Sequence, residues 1–290
     1  MLGDSGFLRF LERLNLVMNK SRPSLAVGHH LGHRPGSGLD FREYRPYQRG
    51  DDLRYLDWNL FSRLEQLFLK EFTEERDFLV YFLIDQSRSM GFGTPSKLQY
   101  ALRLAAALGY IALAGSDQVG AACCSEGWDS ELKPLKGKRQ AHRFFQYLES
   151  AGVKGRTDLN RALATLAWKV KQPGLAVILS DLLAPEEISD GLRRLRTGAW
   201  EIWVLQILTP WELNPSLEAE VLLIDAETGR RREMVITDQT IAAYRQRLHT
   251  LQTRYRQLAP QYGYRFLTLS TAMPLEEVLF ETMRKERLIV

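Results

Sequence analysis

The sequence has little cysteine and no long uninterrupted apolar run. Its 290 residues include two cysteines, Cys123 and Cys124, which are adjacent and lie in an apolar segment. Adjacent cysteines do not readily bridge each other and lack zinc-ligand spacing, so a disulfide scaffold and a zinc finger are excluded. The longest apolar stretch, residues 101–114, contains Arg103 and is too short to span a bilayer. We therefore expect a cytoplasmic protein without a transmembrane segment.

Several catalytic and binding motifs are also missing. The sequence contains no G-x-x-x-x-G-K-[ST] loop, so we expect it not to hydrolyse nucleotides itself. It also contains no H-E-x-x-H and no G-x-S-x-G. The net charge is only +4, which gives little support to a nucleic-acid partner. One basic run is present, which consists of Lys133, Lys136, Lys138 and Arg139. It lacks interleaved aromatic residues and predicts a solvated loop, so we expect no nucleic-acid partner.

What is present is the composition of an ordinary globular protein, with 45% hydrophobic and 26% charged residues. From residue 78 onward, apolar strand patterns alternate with helical patterns. The predicted strands are 78–84, 118–124, 175–180, 201–208 and 264–269, and the predicted helices are 98–114, 142–150, 158–170, 186–196, 240–262 and 274–287. This alternation predicts an α/β fold with a mostly parallel, doubly wound sheet, to which residues 218–237 add a β-hairpin.

The first 76 residues have a different pattern. An amphipathic helix is predicted at the start from the spacing of Phe7, Leu8, Leu11, Leu14 and Val17. Residues 39–59 mix charged and aromatic side chains densely, and residues 67–72 alternate like a strand. We therefore divide the chain into a small β-rich N-terminal subdomain, 1–76, and an α/β domain, 77–290.

Oxygen-bearing side chains cluster where the predicted strands end. One strand ends in Asp85 and continues as D-x-S-x-S, another is followed by Asp181, and a third loop contains Thr157 before a predicted helix. Ligands of open α/β sheets bind at the carboxyl ends of strands, and such oxygens suit Mg²⁺, with Mn²⁺ as an alternative. The predicted metal ligands are Asp85, Ser87, Ser89, Thr157 and Asp181. Each residue alone is better explained as a helix or turn cap, but the combination favours a metal site.

The segment Asp85-Gln86-Ser87-Arg88-Ser89 resembles the metal-ion-dependent adhesion site of von Willebrand factor A domains, whose remaining elements match Thr157 and Asp181. Upstream, Gly38-Leu39-Asp40-Phe41-Arg42-Glu43-Tyr44-Arg45-Pro46-Tyr47, then Gly50-Asp51-Asp52-Leu53-Arg54 and Asp57-Trp58, are similar to bacterial proteins of "domain of unknown function 58". The resemblance implies a von Willebrand A, Rossmann-like core with a small β-rich part. It also implies an adaptor role beside MoxR-type AAA+ ATPases.

Two functions are consistent with these residues. The first is a Mg²⁺-dependent protein-binding adaptor, not an enzyme, in which a client protein donates an Asp or Glu to the metal. The alternative is a metal-assisted phosphoester hydrolase that uses Asp85 and Asp181. The upstream charged and aromatic residues either form a structural scaffold or dock a partner; the candidate docking residues are Arg42, Arg45, Tyr47, Arg54 and Trp58.

Overall fold

The chain forms two compact units, which are described separately. The computed structural model describes residues 9, 11–17, 39–48, 53, 56–74, 78–184, 188–215, 220–227 and 229–290. One unit comprises Ser21–Asp77, and the other comprises Met1–Lys20 together with Phe78–Val290. The described residues among the first twenty, 9 and 11–17, thus group with the α/β unit, whereas the sequence analysis placed them in the N-terminal subdomain.

The larger unit is built on a six-stranded, mostly parallel sheet. Its strands are β3 (Leu79–Asp85), β4 (Gln118–Cys124), β5 (Trp128–Lys136), β6 (Leu175–Ser180), β7 (Glu201–Leu208) and β10 (Tyr264–Ser270). They are ordered β10-β7-β6-β3-β4-β5, and β5 runs antiparallel to its neighbour while the other pairs are parallel. The strands predicted at 118–124, 175–180 and 201–208 are confirmed with these bounds.

The central strands are apolar throughout because both faces of the sheet are covered. All seven residues of β3 are buried. Val80, Phe82 and Ile84 belong to one hydrophobic core, whereas Leu79, Tyr81 and Leu83 belong to a second core. Alternate side chains of one strand therefore pack on opposite faces, which is the expected pattern for a doubly covered parallel strand.

Helices supply the two covering layers. In the larger unit they are α2 (Lys97–Ala114), α3 (Ala141–Glu149), α4 (Leu159–Lys169), α5 (Ser189–Thr197), α6 (Pro210–Leu213) and α7 (Asp238–Tyr262), followed by three adjoining helical segments, Leu275–Glu277, the π-helical Val278–Thr282 and Met283–Lys285. The first core takes apolar residues from α2, α3 and these C-terminal helical segments, and the second takes them from α4, α5 and α7. None of the helices in the described ranges has the length and apolar character that crossing a membrane requires.

The N-terminal segment is not the helix that was predicted through Val17. Leu11 is helical, but Leu16 forms an isolated antiparallel bridge with Ile289. The amide of Val17 donates to the carbonyl of Leu288 at 2.8 Å, so the backbone is extended here. The apolar residues Leu11, Leu14 and Leu16 are nevertheless buried in the first core. The spacing of these residues therefore predicted their burial correctly. The extended backbone at Leu16 and Val17 results from pairing with the C-terminal residues instead.

The basic run near residue 135 is a strand and not the predicted loop. Lys133 and Lys136 lie on β5, and Lys138–Gln140 form a short 3₁₀ turn. β5 is the edge of the sheet and pairs only with β4 among the described strands. An edge strand has one face and one side in water, so it tolerates lysines that a central strand would exclude.

The smaller unit contains an antiparallel pair of strands and one short helix. β1 (Leu39–Pro46) pairs with β2 (Phe68–Glu74), with an irregularity in register between Phe41 and Glu43. Helix α1 (Trp58–Leu64) precedes β2. Asp57 caps this helix, because its carboxylate accepts from the amides of Asn59 and Leu60. A two-residue stretch of the predicted signature, Asp57-Trp58, thus starts a helix.

The absence of a side chain at one glycine allows the backbones of β3 and β6 to lie close together. A Cβ built on Gly174, just before β6, would lie 2.0 Å from the backbone oxygen of Leu79. We predict that Gly174→Ala lowers the free energy of unfolding by about 1–3 kcal/mol, because a backbone atom cannot rotate away as a side chain can. Urea unfolding measures the change. Gly152→Ala is the matched control, since no atom lies within 4 Å of its built Cβ, and an equal loss there would contradict the packing argument.

Candidate functional site

Two neighbouring parallel strands bring the candidate site to one edge of the sheet. β3 ends at Asp85 and β6 ends at Ser180, which Asp181 follows directly. The strands are in register up to the pair Ile84 and Leu179. Both predicted carboxylates therefore leave the sheet side by side, at the edge where open α/β sheets bind ligands.

The D-x-S-x-S segment turns sharply after β3. The backbone amide of Ser87 donates to Oδ1 of Asp85 at 2.9 Å, which closes a local turn. A 3₁₀ turn, Arg88–Gly91, follows and brings Oγ of Ser89 within 3.2 Å of Oγ of Ser87. The alternation of the motif thus places the Ser87 hydroxyl at the Asp85 carboxylate and the Ser89 hydroxyl next to that of Ser87.

Two further hydroxyls reach Asp85 from other loops. Oγ of Ser180 donates to Oδ2 of Asp85 at 2.6 Å. Oγ1 of Thr157, in the loop before α4, lies 3.3 and 3.2 Å from the two carboxylate oxygens. The structure therefore brings Asp85, Ser87, Ser89 and Thr157 together, as predicted, and adds Ser180, which was not among the predicted ligands.

The Asp85 carboxylate is fully buried. Burial raises its pKa to about 6, and the nearby charge of Asp181 acts in the same direction. Hydrogen bonds from Ser180 and Ser87 favour the ionised form and partly oppose the shift. Among the described residues, no lysine or arginine pairs with this carboxylate. The site therefore holds a buried negative charge that only hydroxyls and an amide compensate.

Asp181, the fifth predicted ligand, has a different partner. Its Oδ2 accepts from Nζ of Lys97 at 2.7 Å, and the same ammonium donates to Oε1 of Glu212 at 2.6 Å. Lys97 is 1% exposed. Burial opposes its charge, but Asp181 and Glu212 outweigh burial and raise the pKa of Lys97. Asp181 is thus near enough to Asp85 to act on its charge, while its Oδ2 is ion-paired with Lys97 and its Oδ1 accepts from the amide of Leu183 at 3.1 Å.

Sequence reasoning missed Lys97 and Glu212, although each has a local signal. Lys97 is the first residue of α2 and follows the N-cap Ser96. Glu212 closes a T-P-W-E capping box, because its carboxylate accepts from the amide and hydroxyl of Thr209. These signals predict helix starts, and neither predicts that both side chains meet Asp181.

The tip of a β-hairpin also lies beside the site. β8 (Glu220–Ile224) and β9 (Arg231–Val235) form the hairpin predicted at 218–237. In its turn, Oε1 of Glu227 lies 3.5 Å from Oγ1 of Thr157, and Nη1 of Arg88 lies 3.5 Å from the carbonyl oxygen of Glu227. Burial and the charge of Asp181 raise the pKa of Glu227. A third carboxylate thus approaches the predicted ligands from outside.

Large apolar side chains are exposed on the loops that carry the site. Phe92 follows the D-x-S-x-S turn, Leu183 follows Asp181, and Trp211 precedes Glu212; all three are exposed. The rings of Phe92 and Trp211 pack edge to face with centroids 6.1 Å apart. We call these three residues the apolar rim. Exposed aromatic residues of this kind are typical anchors in protein interfaces.

The candidate docking residues lie in the smaller unit. Trp58 is 63% exposed and packs edge to face on Phe61. Arg45 and Tyr47 are half-buried. The side chain of Arg42 and all of Arg54 lie outside the described residues. Docking through these five residues therefore remains a prediction.

The side chains of the site offer carboxylate and hydroxyl oxygens as possible metal ligands. No group of three or more His, Cys, Asp or Glu side chains in the described part of the chain is arranged to hold a metal ion. The side chains that could hold a cation here are Asp85, the hydroxyls of Ser87, Ser89 and Thr157, and the neighbouring Asp181. Both cysteines are buried, Cys124 directly beside Asp85 on the neighbouring strand, and burial raises the pKa of each thiol.

Comparison with known proteins gives a family and uncharacterised relatives. Residues 43–257 match the family described as protein of unknown function DUF58. Uncharacterised proteins of Mycobacterium bovis and Mycobacterium tuberculosis are each 29% identical to this chain over 233 residues, which is 78% of this chain and 73% of theirs.

Two of the solved structures with partial similarity come from Bacteroides. A conserved hypothetical protein BatB from Bacteroides thetaiotaomicron is 12% identical with a TM-score of 0.43, covering 67% of this chain and 91% of its own. An aerotolerance-related membrane protein from Bacteroides fragilis is 14% identical, also with a TM-score of 0.43, covering 67% and 92%. At these scores the similarities support no conclusion about function.

The buried hydrogen bond from Ser180 to Asp85 gives a direct test of the geometry. We predict that Ser180→Ala lowers the free energy of unfolding by about 1–3 kcal/mol, because it removes a donor from a buried carboxylate. Urea unfolding in EDTA measures the loss without any metal. Ser150→Ala is the control: its hydroxyl also makes a short hydrogen bond, to the carbonyl of Tyr147, but at an exposed position. Equal effects of the two substitutions would contradict the buried contact.

Proposed function

Because the chain belongs to the DUF58 family, whose function is unknown, we propose a function from the site itself. We propose that the larger unit is a von Willebrand A-type domain. In this proposal, Asp85, Ser87, Ser89, Thr157 and Asp181 form a metal-ion-dependent adhesion site that binds Mg²⁺ and, through it, a carboxylate of another protein. The protein would then be an adaptor and not an enzyme.

One observation carries this proposal: the Asp85 carboxylate is fully buried and has no cationic partner among the described residues. An unpaired buried charge is strongly unfavourable, and a native protein relieves it by protonation, by a counter-ion or by a metal; the pKa of Asp85, raised only to about 6, leaves the carboxylate mostly ionised at neutral pH. Asp181 already has a cationic partner, Lys97. The strand-end carboxylate that lacks one among the described residues is therefore Asp85. A divalent cation would supply it.

The residues present fit Mg²⁺ by their chemistry. Mg²⁺ prefers hard oxygen ligands, uses one or two carboxylates and keeps several waters. Asp85 would provide the direct carboxylate, Ser87, Ser89 and Thr157 the neutral oxygens, and Asp181 a second carboxylate at the border of the site. When bound, the ion would attract an external carboxylate, because the neutral hydroxyls leave much of its charge uncompensated.

The surroundings of the site support a protein partner over a small anion. The apolar rim, Phe92, Leu183 and Trp211, would contact apolar groups that flank the partner's carboxylate. A free anion makes no use of exposed aromatic side chains, whereas protein interfaces are enriched in them. The partner segment would therefore combine an Asp or Glu with neighbouring apolar residues.

The partner class comes from the sequence resemblance. The signature of residues 38–58 resembles proteins implied to serve MoxR-type AAA+ ATPases, so we propose that this chain links such an ATPase to a client. The metal site would bind one of the two. The smaller unit, with the exposed Trp58, would offer a second surface to the other.

Metal binding is the first test. We predict that the purified protein binds a single Mn²⁺ that Mg²⁺ displaces, and that Asp85→Asn abolishes this binding because it removes the direct carboxylate. Electron paramagnetic resonance of free Mn²⁺ during titration measures it. Asp190→Asn is the matched control, since Asp190 is exposed and pairs only with Arg193 among the described ion pairs. Absence of binding to the native protein, or unchanged binding to Asp85→Asn, would rule out the metal site.

The same samples distinguish an adaptor from a hydrolase. Generic phosphoesters incubated with the Mn²⁺-loaded protein should show no turnover. Turnover that Asp85→Asn removes and Asp190→Asn preserves would replace the adaptor proposal with a metal-assisted hydrolase.

Partner capture tests the apolar rim. We predict that the MoxR-type ATPase from the same cell, or its client, is retained by the immobilised protein in Mg²⁺ and released by EDTA. Trp211→Ala should weaken retention about tenfold without affecting Mn²⁺ binding, since an interface aromatic contributes on the order of 1–2 kcal/mol. Trp168→Ala is the control: Trp168 is also exposed but lies near the far end of α4 from Thr157. Equal loss with both variants would show that the rim is not the contact.

A further inference from the structure

Lys97 is a buried cation that the proposed function does not use. Its ammonium lies 2.7 Å from Oδ2 of Asp181 and 2.6 Å from Oε1 of Glu212. A lysine is rarely buried unless it is paired, and here both of its partners are buried as well. The question is why a candidate cation site contains a lysine so close to one of its carboxylates.

The position of Lys97 in its helix is electrostatically unfavourable by itself. It is the first residue of α2, an 18-residue helix, and the amino end of a helix carries partial positive charge. A positive side chain here is retained only because Asp181 and Glu212 face it. Glu212 is fixed in turn by the capping box with Thr209, so the ion triad joins the starts of two helices to the end of β6.

The buried charged groups of the site can be counted together; the half-buried Glu227 at the hairpin tip lies outside this count. Asp85, Asp181 and Glu212 are the three buried carboxylates, and Lys97 is the one ammonium that pairs with any of them among the described residues. Two negative charges remain, which equals the charge of one divalent cation. Without Lys97 three would remain, and without Glu212 only one.

We propose that Lys97 is a tethered cation that sets the metal affinity of this site. It neutralises Asp181, so that a divalent ion is bound mainly through Asp85, and it keeps the metal-free protein folded by sharing the negative charge. This inference rests on the proposed function, because it assigns Lys97 a role toward the ion that the function requires. It differs from a purely structural role, in which Lys97 only bridges α2 and α6.

Substitutions that change the charge in opposite directions separate the two roles. Lys97→Met removes the positive charge and should raise Mn²⁺ affinity about tenfold, whereas Glu212→Gln should lower it about tenfold. Glutamine still serves in a capping box, so Glu212→Gln keeps the local helix start. The double variant Lys97→Met with Glu212→Gln restores the native balance and should bind Mn²⁺ about as the native protein does.

The experiment measures Mn²⁺ dissociation constants by titration, and thermal unfolding midpoints in EDTA and in excess Mn²⁺. Lys97→Met should have a lower midpoint than the native protein in EDTA, and Mn²⁺ should reverse most of that loss. Lys138→Met is the matched control, because Lys138 also pairs with a glutamate, Glu12 at 2.7 Å, but at an exposed position away from these loops. Its Mn²⁺ affinity should equal that of the native protein.

The possible results separate the role of Lys97 from the existence of the metal site. If the native protein binds Mn²⁺ but Lys97→Met and Glu212→Gln bind it equally well, the tethered-cation role is wrong while the metal site stands. If the native protein binds no Mn²⁺, both proposals fail. If Lys97→Met does not fold, Glu212→Gln and the double variant still give the sign, and a double variant that binds less tightly than Glu212→Gln overturns the charge argument.

Discussion

The parallel pairing of β3 with β6 is the constraint on which the site depends. Both strands are buried on both faces, so their register is held by two hydrophobic cores at once. That register places Asp85 beside Ser180 and Asp181, where the strands end. A one-residue shift in the register of β3 and β6 would turn these side chains to the opposite face of the sheet. It would also disrupt the packing of the apolar residues in both cores. The geometry of the polar groups is therefore fixed by apolar packing some distance away from them.

The sequence predicted the fold class and the approach of several site residues to one another because both are encoded locally. Continuous apolar runs that end at a polar residue gave β4, β6 and β7 with their bounds. The alternation in D-x-S-x-S placed Ser87 and Ser89 correctly, because a turn after Asp85 makes that spacing converge. The edge strand β5 was missed because its exposed face mixes lysines with polar residues, and Leu16 was assigned to a helix because its pairing with Ile289 spans almost the whole chain.

Contacts between distant residues could not be predicted in the same way. Lys97 meets Asp181 and Glu212 across 84 and 115 positions of sequence, and no local pattern links the three. A lysine in the first turn of an amphipathic helix is usually solvated, so its burial follows only from the arrangement of loops around the sheet edge. The approach of Glu227 to Thr157 across 70 positions is of the same kind. Long-range electrostatic partners are set by topology, and topology was predicted only as a class.

The two strand-end aspartates show how burial and pairing give identical side chains different roles. Asp181 has a fixed ammonium at 2.7 Å, whereas Asp85 has hydroxyl and amide donors, and burial raises its pKa to about 6. A paired carboxylate has little left to offer a second cation, while a carboxylate held only by neutral donors gains most from one. The ammonium is tethered by α2 and cannot be exchanged, so in the proposal made above a cation from solution would act mainly at Asp85. Because Asp181 has a fixed partner and Asp85 does not, the site would stay folded without a metal ion and would still be able to bind one.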